Sequence, residues 1–325
     1  MVILRDNPSY SRIKKIHQGG NKMKEDYAAS RYEEACALLP LRLRTAALSL
    51  DFRKKALAEE IRLRIGRKIY LTLPEGETAL PETMVTRNDL EQVLDKAAEY
   101  SRYAAAETIR HGYVTAAGGF RVGLCGTALP GSAGNEGLRD VSSLAIRIPR
   151  VREGTALPVL PELLEDGRPV STLVLSSPGG GKTTLLRDLV RLLSQGTELC
   201  SPCRVALVDE RGELAAVHRG RPQLEVGCHT DVMDGCPKHL AVPMLLRAMT
   251  PQVIALDEIA LAADVEAVCA AAGCGAALLA TVHAASLEEL RNRNVGRALL
   301  ECGVFQRVVL IEGRGSERRS RVEKL

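Results

Sequence analysis

The chain has 325 residues, of which 46% are apolar and 26% charged, a composition typical of a soluble globular protein with room for two domains. Its net charge of only +4 excludes a strong overall attraction to nucleic acid or to an anionic membrane. Nine cysteines, with no dense framework and no secretory signal, indicate reduced thiols in a cytosolic protein.

The amino end predicts a segment outside the fold. In "HQGGNKM" the codons for Gln-Gly-Gly can spell a ribosome-binding sequence just upstream of Met23, so we expect Met23 to be the natural start. Residues 1–34 are therefore expected to be a leader or a disordered tail. A solvated basic tail translated from Met1 is the alternative.

A smaller α+β domain is predicted over residues 35–155. The apolar spacing of residues 35–51 is helical but is interrupted by a proline, which indicates a short helical region. The next segment, "EIRLRIG" (residues 60–66), alternates strictly between apolar and other side chains, so it predicts a half-buried strand. Arg62 and Arg64 make the outer face of that strand basic.

Three further elements complete this first domain. Asn88 followed by Glu91 has the spacing of a capping box, and the apolar pattern after it predicts a helix that ends near Gly112. "GYVTAAGGFRVGLCG" then reads as a hairpin that turns at its paired glycines. "SLAIRIPR" alternates again and places Arg147 opposite its apolar side chains. A proline-spaced segment follows and indicates the connection to a second domain.

The second domain, predicted over residues 156–325, alternates strands with helices. Its five apolar strands are "STLVLS", "RVALVD", "VIALDE", "AALLATVH" and "RVVLIE". Short apolar strands with crossover helices predict an α/β fold whose mostly parallel sheet is covered on both faces. The uncharged run Ala267–Leu287 is too rich in alanine and glycine for a membrane span, so we interpret it as a helix end, a turn and a buried strand.

A glycine-rich turn joins the first of these strands to a helix and predicts a phosphate-binding loop. The segment reads "SSPGGGKTTLLR", with Ser176 where the usual G-x-x-x-x-G-K-[ST] pattern has its first glycine. Successive glycines let backbone N–H groups approach the phosphates of ATP, and a helix amino end adds partial positive charge. The predicted nucleotide-binding residues are Pro178, Gly179, Gly180, Gly181, Lys182, Thr183 and Thr184.

Acidic residues at the ends of two other strands predict the rest of an ATPase site. Asp257 is expected to bind Mg²⁺ through water, alongside the hydroxyl of Thr183, and Glu258 to polarise the attacking water. Glu210 ends a second strand and is a further catalytic candidate. His283 ends a third strand, where it is either a sensor of the γ-phosphate or a structural histidine.

Several segments together resemble one family. "DERGEL", "GCHTDVMDGCPK", "LLRAMTPQVIALDEIA" and "TVHA" are similar to the secretion ATPase superfamily of hexameric motors. Within it the chain resembles the stage III sporulation protein AA family, and "EIRLRIGR", "GYVTAAGGFRVGLCG" and "SSLAIRIPR" extend the likeness over residues 35–312.

This resemblance implies a RecA-like P-loop ATPase domain behind a smaller amino-terminal domain, with nucleotide held at subunit contacts. It implies a homo-oligomer, by analogy a hexamer, in the mother-cell cytoplasm beside membrane proteins of the stage III complex. It also implies that Glu210, Asp257, Glu258 and His283 take the acidic-motif and histidine-box roles of such motors.

The chain departs from the family pattern at positions where other members carry arginine. Ala260 and Leu261 stand where Gly-Arg is usual, and His229 stands where "RTDV" begins. Arginines on the exposed strand faces, Arg147 among them, are candidates to replace these contacts to phosphate; a solvated sheet face is the alternative interpretation.

Cysteines leave a second possibility open. Cys200 and Cys203 form a C-x-x-C pair, with Cys228 and Cys236 close behind, so a zinc site is conceivable. Small buried thiols are the alternative.

The sequence therefore predicts an ATP- and Mg²⁺-dependent oligomeric motor of endospore formation, peripheral to the membrane through its partners. A nucleotide-gated scaffold with little hydrolysis is a second hypothesis. A RecA-like ATPase acting on nucleic acid is a third, which the 3% aromatic content and the near-neutral charge disfavour.

Overall fold

The protein is described from a computed structural model, which covers residues 20–81, 84–101, 105–131, 134–149, 153–313 and 318–325. The chain divides into two compact units, Met1–Arg150 and Val151–Leu325. The first unit ends at Arg150, five residues before the boundary that we expected between residues 155 and 156.

The first unit combines helices with an antiparallel sheet. Its helices are α1 (Gly20–Cys36), α2 (Leu41–Leu48), α3 (Phe52–Leu57), α4 (Arg87–Ala97) and α5 (Ala106–Arg110). Its strands are β1 (Glu60–Arg64), β2 (Tyr70–Leu73), β3 (Gly76–Ala79), β4 (Tyr113–Ala116), β5 (Phe120–Gly131) and β6 (Gly134–Arg147), and the sheet order is β3-β2-β1-β6-β5-β4.

The helix α1 differs from the expected tail over residues 1–34. Tyr32 is fully buried among the core side chains of the first unit, and its hydroxyl donates to the carbonyl of Ala47 at 3.0 Å. Residues from Gly20 onward therefore belong to the fold, because burial of a large aromatic side chain outweighs the polar composition around it. Residues 1–19, with the question of the natural start, lie outside the described part of the chain.

The predicted capping box falls two residues earlier than expected. Thr86 is the N-cap of α4, its hydroxyl accepts from the backbone N–H of Asp89, and the Asp89 carboxylate accepts from Thr86 N at 2.7 Å. Asn88 lies inside the first turn of α4, so the reciprocal bonds are made by Thr86 and Asp89 in place of Asn88 and Glu91. The helix ends at Ala97, well before Gly112, and α5 follows as a separate element.

The second unit contains the alternating strands and helices. The strands are β7 (Leu164–Glu165), β8 (Arg168–Pro169), β9 (Thr172–Ser176), β10 (Val205–Asp209), β11 (Thr230–Asp234), β12 (Val253–Leu256), β13 (Ala277–His283), β14 (Arg307–Glu312) and β15 (Arg319–Lys324). The helices are α6 (Lys182–Gln195), α7 (Lys238–Met249), α8 (Ala262–Ala271), α9 (Leu287–Arg291) and α10 (Asn294–Glu301), with a short 3-10 turn at Leu160–Leu163.

Seven strands form one sheet in the order β11-β10-β12-β13-β9-β14-β15. The five strands predicted from the sequence are all present, and they pair in parallel. Two edge strands were not predicted: β11, which lies between the second and third predicted strands along the chain, and the antiparallel β15. Both lack an apolar run, because an edge strand is covered less completely than a central one.

Helices cover both faces of this sheet. Val174 belongs to the apolar core on one face, together with Leu185 and Leu189 of α6, and Leu173 belongs to the core on the other face, together with Ala241 of α7. The uncharged run Ala267–Leu287 forms the end of α8, a turn, the strand β13 and the start of α9, as interpreted from the sequence. Within the described residues, none of the helices has both the length and the apolar composition of a membrane span.

Two cysteines of the second unit lie side by side. Cys269 in α8 and Cys302 after α10 have their sulfur atoms in contact and their Cα atoms 5.9 Å apart. Cys200 and Cys203 are buried and Cys228 is exposed. In the described ranges no three or more His, Cys, Asp or Glu side chains cluster as metal ligands, so the zinc hypothesis has no support there.

Candidate functional site

The glycine-rich turn joins β9 to α6 at the carboxyl edge of the parallel sheet. Gly179 and Gly181 have positive φ angles of 73° and 100°, which glycine adopts without a steric penalty. Gly181 is the N-cap of α6, so the first free N–H groups of this 14-residue helix point into the turn. This geometry is the anion-binding arrangement expected from the sequence.

Ser176 fits the turn in place of the usual glycine. Its side chain is buried, and its hydroxyl donates to the carbonyl of Ser177 at 2.9 Å. A Cβ atom added at Gly180 would lie 2.2 Å from Ser176 Oγ, so the two residues are packed against each other. Serine at position 176 therefore leaves no room for a side chain at position 180, which must be glycine.

Lys182 is folded back over the turn. Its ammonium group donates to the Ser176 carbonyl at 3.1 Å and contacts His283 Nδ1 at 2.7 Å. Burial lowers the pKa of Lys182, and the nearby carboxylates of Asp257 and Glu258 oppose that shift. Since an ammonium only donates, Nδ1 of His283 accepts and the ring hydrogen is left on Nε2.

Asp257 follows β12 and faces the start of α6. The hydroxyl of Thr183 donates to its Oδ2 at 3.3 Å, and the buried hydroxyl of Thr281 donates to Oδ1 at 2.7 Å. Burial raises the pKa of Asp257, against the effect of these two hydrogen bonds. A hydroxyl and a carboxylate side by side are the hard oxygen ligands that Mg²⁺ prefers, so these residues fit the metal.

Glu258 has a constrained backbone and two charged neighbours. Its φ angle is 44°, uncommon for a residue with a side chain, and its N–H donates to Thr281 Oγ1 at 2.8 Å. Arg211 Nη1 donates to its Oε2 at 2.6 Å, and His283 Nε2 lies 3.6 Å from Oε1. The five central candidates therefore meet at one sheet edge: Lys182, Thr183, Asp257, Glu258 and His283.

Glu210 and its neighbour Asp209 are engaged in other contacts. The Glu210 carboxylate pairs with Lys238 at 2.5 Å, and the lysine side chain is only 6% exposed. Asp209 is buried and accepts backbone N–H groups of residues 213–216. Asp209 thus fixes the loop that carries "DERGEL", and Glu210 closes it onto α7.

The remaining predicted residues lie in two places. Pro178 is exposed in the turn and Thr184 is half-buried in the first turn of α6. Arg147 belongs to the first unit, where it is exposed at the end of β6 and paired in register with Glu60 and Arg121.

Two residues of the site were missed by the sequence analysis. Thr281 bridges Asp257 and Glu258. It could have been identified because it lies two residues before His283 on an apolar strand, so the two side chains share one face of the strand. Arg211 immediately follows Glu210, but nothing in the sequence connects it with Glu258, 47 residues away.

A glycine turn from a central strand to a helix, a lysine at the helix start and an acidic pair two strands away define a RecA-like ATPase fold. The Legionella pneumophila ATPase DotB shares it, with a TM-score of 0.56 and 16% identity, over 84% of this chain and 78% of that chain. So does the pilus retraction motor PilT solved with bound ADP, with a TM-score of 0.56 and 16% identity, over 82% of this chain and 79% of that chain. At these identities the likeness is one of fold.

The amino-acid sequence gives the family. The family model for sporulation stage III, protein AA matches residues 29–322. The stage III sporulation protein AA of Bacillus subtilis (strain 168) is 36% identical over 274 residues, which are 84% of this chain and 89% of that protein. The chain belongs to the sporulation stage III protein AA family.

Proposed function

We propose that this protein is an ATP-hydrolysing motor of endospore formation that works as a homo-oligomer, by analogy a hexamer. The observation that carries the proposal is the convergence of Lys182, Thr183, Asp257, Glu258 and His283 at the end of one parallel sheet. The fold likeness to DotB and PilT supports the motor, and family membership supports the link to sporulation.

Binding of ATP begins at the glycine turn. The N–H groups between Gly179 and Thr183 converge where the β-phosphate of a bound nucleotide would lie. Lys182 leaves the Ser176 carbonyl and reaches the β- and γ-phosphates. The negative phosphates stabilise the charged ammonium group, which burial alone destabilises.

Thr183 and Asp257 would hold Mg²⁺, which when bound offsets the charge of the phosphate oxygens. Thr281 keeps the Asp257 carboxylate turned toward Thr183, since one of its oxygens is already occupied by the threonine hydroxyl. Thr281 is therefore a positioning residue.

Glu258 accepts a hydrogen bond from the water that attacks the γ-phosphorus. The bond from its N–H to Thr281 holds the backbone in place, and its carboxylate lies 3.6 Å from His283, which contacts Lys182. His283, in contact with both Lys182 and Glu258, reports the presence of the γ-phosphate to the glutamate.

An arginine-rich face of the first unit is the proposed source of further phosphate contacts. A cavity of about 310 Å³ is lined there by Arg62, Arg64, Arg121 and Arg147, with Tyr113 beneath Arg121. We assign Arg147 to a nucleotide of its own or an adjacent subunit, because the arginines usual in the family after "DEI" and before "TDV" are replaced by Leu261 and His229.

The motor is proposed to act in the mother-cell cytoplasm, peripheral to the membrane through membrane proteins of the stage III complex. Hydrolysis would energise assembly of, or transport through, a channel between mother cell and forespore. Nucleic acid is not a proposed partner, given the net charge of +4.

The test is steady-state ATP hydrolysis by the purified protein across protein concentrations, beside Lys182→Ala and Glu258→Gln. The expected result is turnover per subunit that rises with concentration, with binding lost in Lys182→Ala and hydrolysis reduced about 10²- to 10⁴-fold in Glu258→Gln. Wild-type protein that binds ATP but turns over no faster than Glu258→Gln would instead support a nucleotide-gated scaffold. Salt-dependent binding to DNA would support the nucleic-acid alternative.

A further inference from the structure

Arg318 lies against the phosphate loop although it belongs to none of the sequence motifs. It immediately precedes β15, whose partner β14 is the direct neighbour of β9 in the sheet. A Cβ atom placed on Gly181 would lie 2.5 Å from Nη1 and 2.7 Å from Cζ of Arg318. The guanidinium therefore covers the N-cap residue of α6, and any side chain at Gly181 would displace it.

Three sources of positive charge meet at this point. The amino end of α6 carries the positive end of the helix dipole, Lys182 is its first residue, and the Arg318 guanidinium stands over its N-cap. Bringing a cation to a helix amino end is unfavourable by itself, because the dipole repels it. A bound anion with several oxygens turns this repulsion into attraction, and a planar guanidinium can bind two phosphate oxygens at once.

The position of Arg318 relative to the loop indicates which phosphates of a bound nucleotide it can reach. The main chain of such a loop cradles the α- and β-phosphates, whereas the γ-phosphate extends toward the metal ligands and the catalytic carboxylate. Arg318 covers Gly181 in the loop, while Arg211 is the guanidinium that contacts Glu258.

We propose that Arg318 binds the α- and β-phosphates of the nucleotide held in its own subunit. The inference rests on the proposed function, and it gives the carboxyl-terminal hairpin β14–β15 a part in the nucleotide site. It also supplies an arginine contact in a chain where Leu261 and His229 replace the arginines usual in the family.

The experiment measures the dissociation constants of ADP and ATP with Mg²⁺ for the wild type, Arg318→Ala, Arg318→Lys and Arg319→Ala. Arg319 is the adjacent, exposed residue in β15, so its substitution makes the same change in net charge at a solvent-facing position. Loss of a charged hydrogen bond to phosphate should weaken binding of both nucleotides about 10- to 100-fold in Arg318→Ala. Arg318→Lys should recover part of that loss, and Arg319→Ala should stay within about 3-fold of the wild type.

Thermal denaturation distinguishes an effect of Arg318 on the stability of the fold from an effect on nucleotide binding. Arg318→Ala should melt at the wild-type temperature without nucleotide and show a smaller upward shift when ADP is added. Equal affinities of Arg318→Ala and wild type would overturn the inference while leaving the proposed function intact, and so would a loss confined to ATP. A wild type that binds neither nucleotide would overturn both.

Discussion

Arg211 and Glu258 form an ion pair of 2.6 Å, and Glu258 is the carboxylate that we propose orients the attacking water. Oε2 accepts from Arg211, and Oε1 faces Nε2 of His283. The arginine side chain is 57% exposed and follows a residue fixed to α7 by its bond with Lys238. In the proposed mechanism, opening of this pair frees the Glu258 carboxylate to turn toward the attacking water.

Removing Arg211 should consequently speed hydrolysis. An exposed pair stabilises the closed arrangement by at most about 1 kcal/mol, so Arg211→Ala should raise turnover up to about five-fold at saturating ATP. Arg211→Lys, which keeps the charge but not the fork geometry, should lie between the two. Turnover more than 10-fold below wild type in Arg211→Ala would contradict this and give the arginine a direct part in the reaction.

The contact between Ser176 and Gly180 predicts a paired effect. Gly180→Ala places a methyl group 2.2 Å from Ser176 Oγ, so it should distort the loop and weaken ATP binding at least about 10-fold. Ser176→Gly alone should bind ATP within about 3-fold of the wild type, because it restores the usual residue at that position.

The double variant Ser176→Gly/Gly180→Ala should recover binding in part, since the serine atoms that clash are gone. The Ser177 carbonyl, 3.0 Å from the added Cβ, remains as an obstacle and limits the recovery. If the binding free energies lost in the two single variants simply add in the double variant, Gly180 is required for a reason other than the serine.

We predict that the main effect of Glu210 is to stabilise the fold through its ion pair with Lys238. Glu210→Gln leaves the buried Lys238 ammonium without its carboxylate and should lower the free energy of unfolding by about 2 kcal/mol or more. Adding Lys238→Met should restore it, as measured by urea denaturation. If the double variant also hydrolyses ATP within about 5-fold of the wild type, the role is structural. A double variant that is stable but inactive would return Glu210 to the catalytic residues.

Asp234, at the end of β11 beside Asp209, predicts a pH dependence of stability. Partial burial of its carboxyl group, and then the charge of Asp209, raise its pKa from 3.8 to about 6. The folded protein therefore holds the proton more tightly than the unfolded chain. The resulting stabilisation is complete below about pH 4 and is lost as the pH rises through about 6.

Asp234→Asn should not show this loss. Compared with the wild type, the variant should gain stability between about pH 4 and pH 7. The gain should be less than about 1 kcal/mol, because the residue as a whole is exposed and water screens the charge of its partly buried carboxyl group. Asp231→Asn, on the same strand, is the matched control. Parallel pH profiles of unfolding for the wild type and Asp234→Asn would count against the shifted carboxyl.

Local pattern alone determined the parallel sheet and the position of the glycine-rich turn. A buried parallel strand is a continuous apolar run, and a glycine-rich turn with Lys182 has few other uses, so β9, β10, β12, β13 and β14 were all readable. The same reasoning failed for α1, where the composition is polar and a few buried side chains such as Tyr32 decide the fold.

Only the tertiary structure decided which side chains meet. Arg211 reaches Glu258 across 47 residues, Thr281 bridges Asp257 and Glu258, and Arg318 comes to Gly181 from the last strand of the sheet. These contacts join different strands, and the order of strands in a sheet is set by long-range packing that no short motif records. The sequence thus determined the chemistry available to the protein, and the order of its strands determined which residues share it.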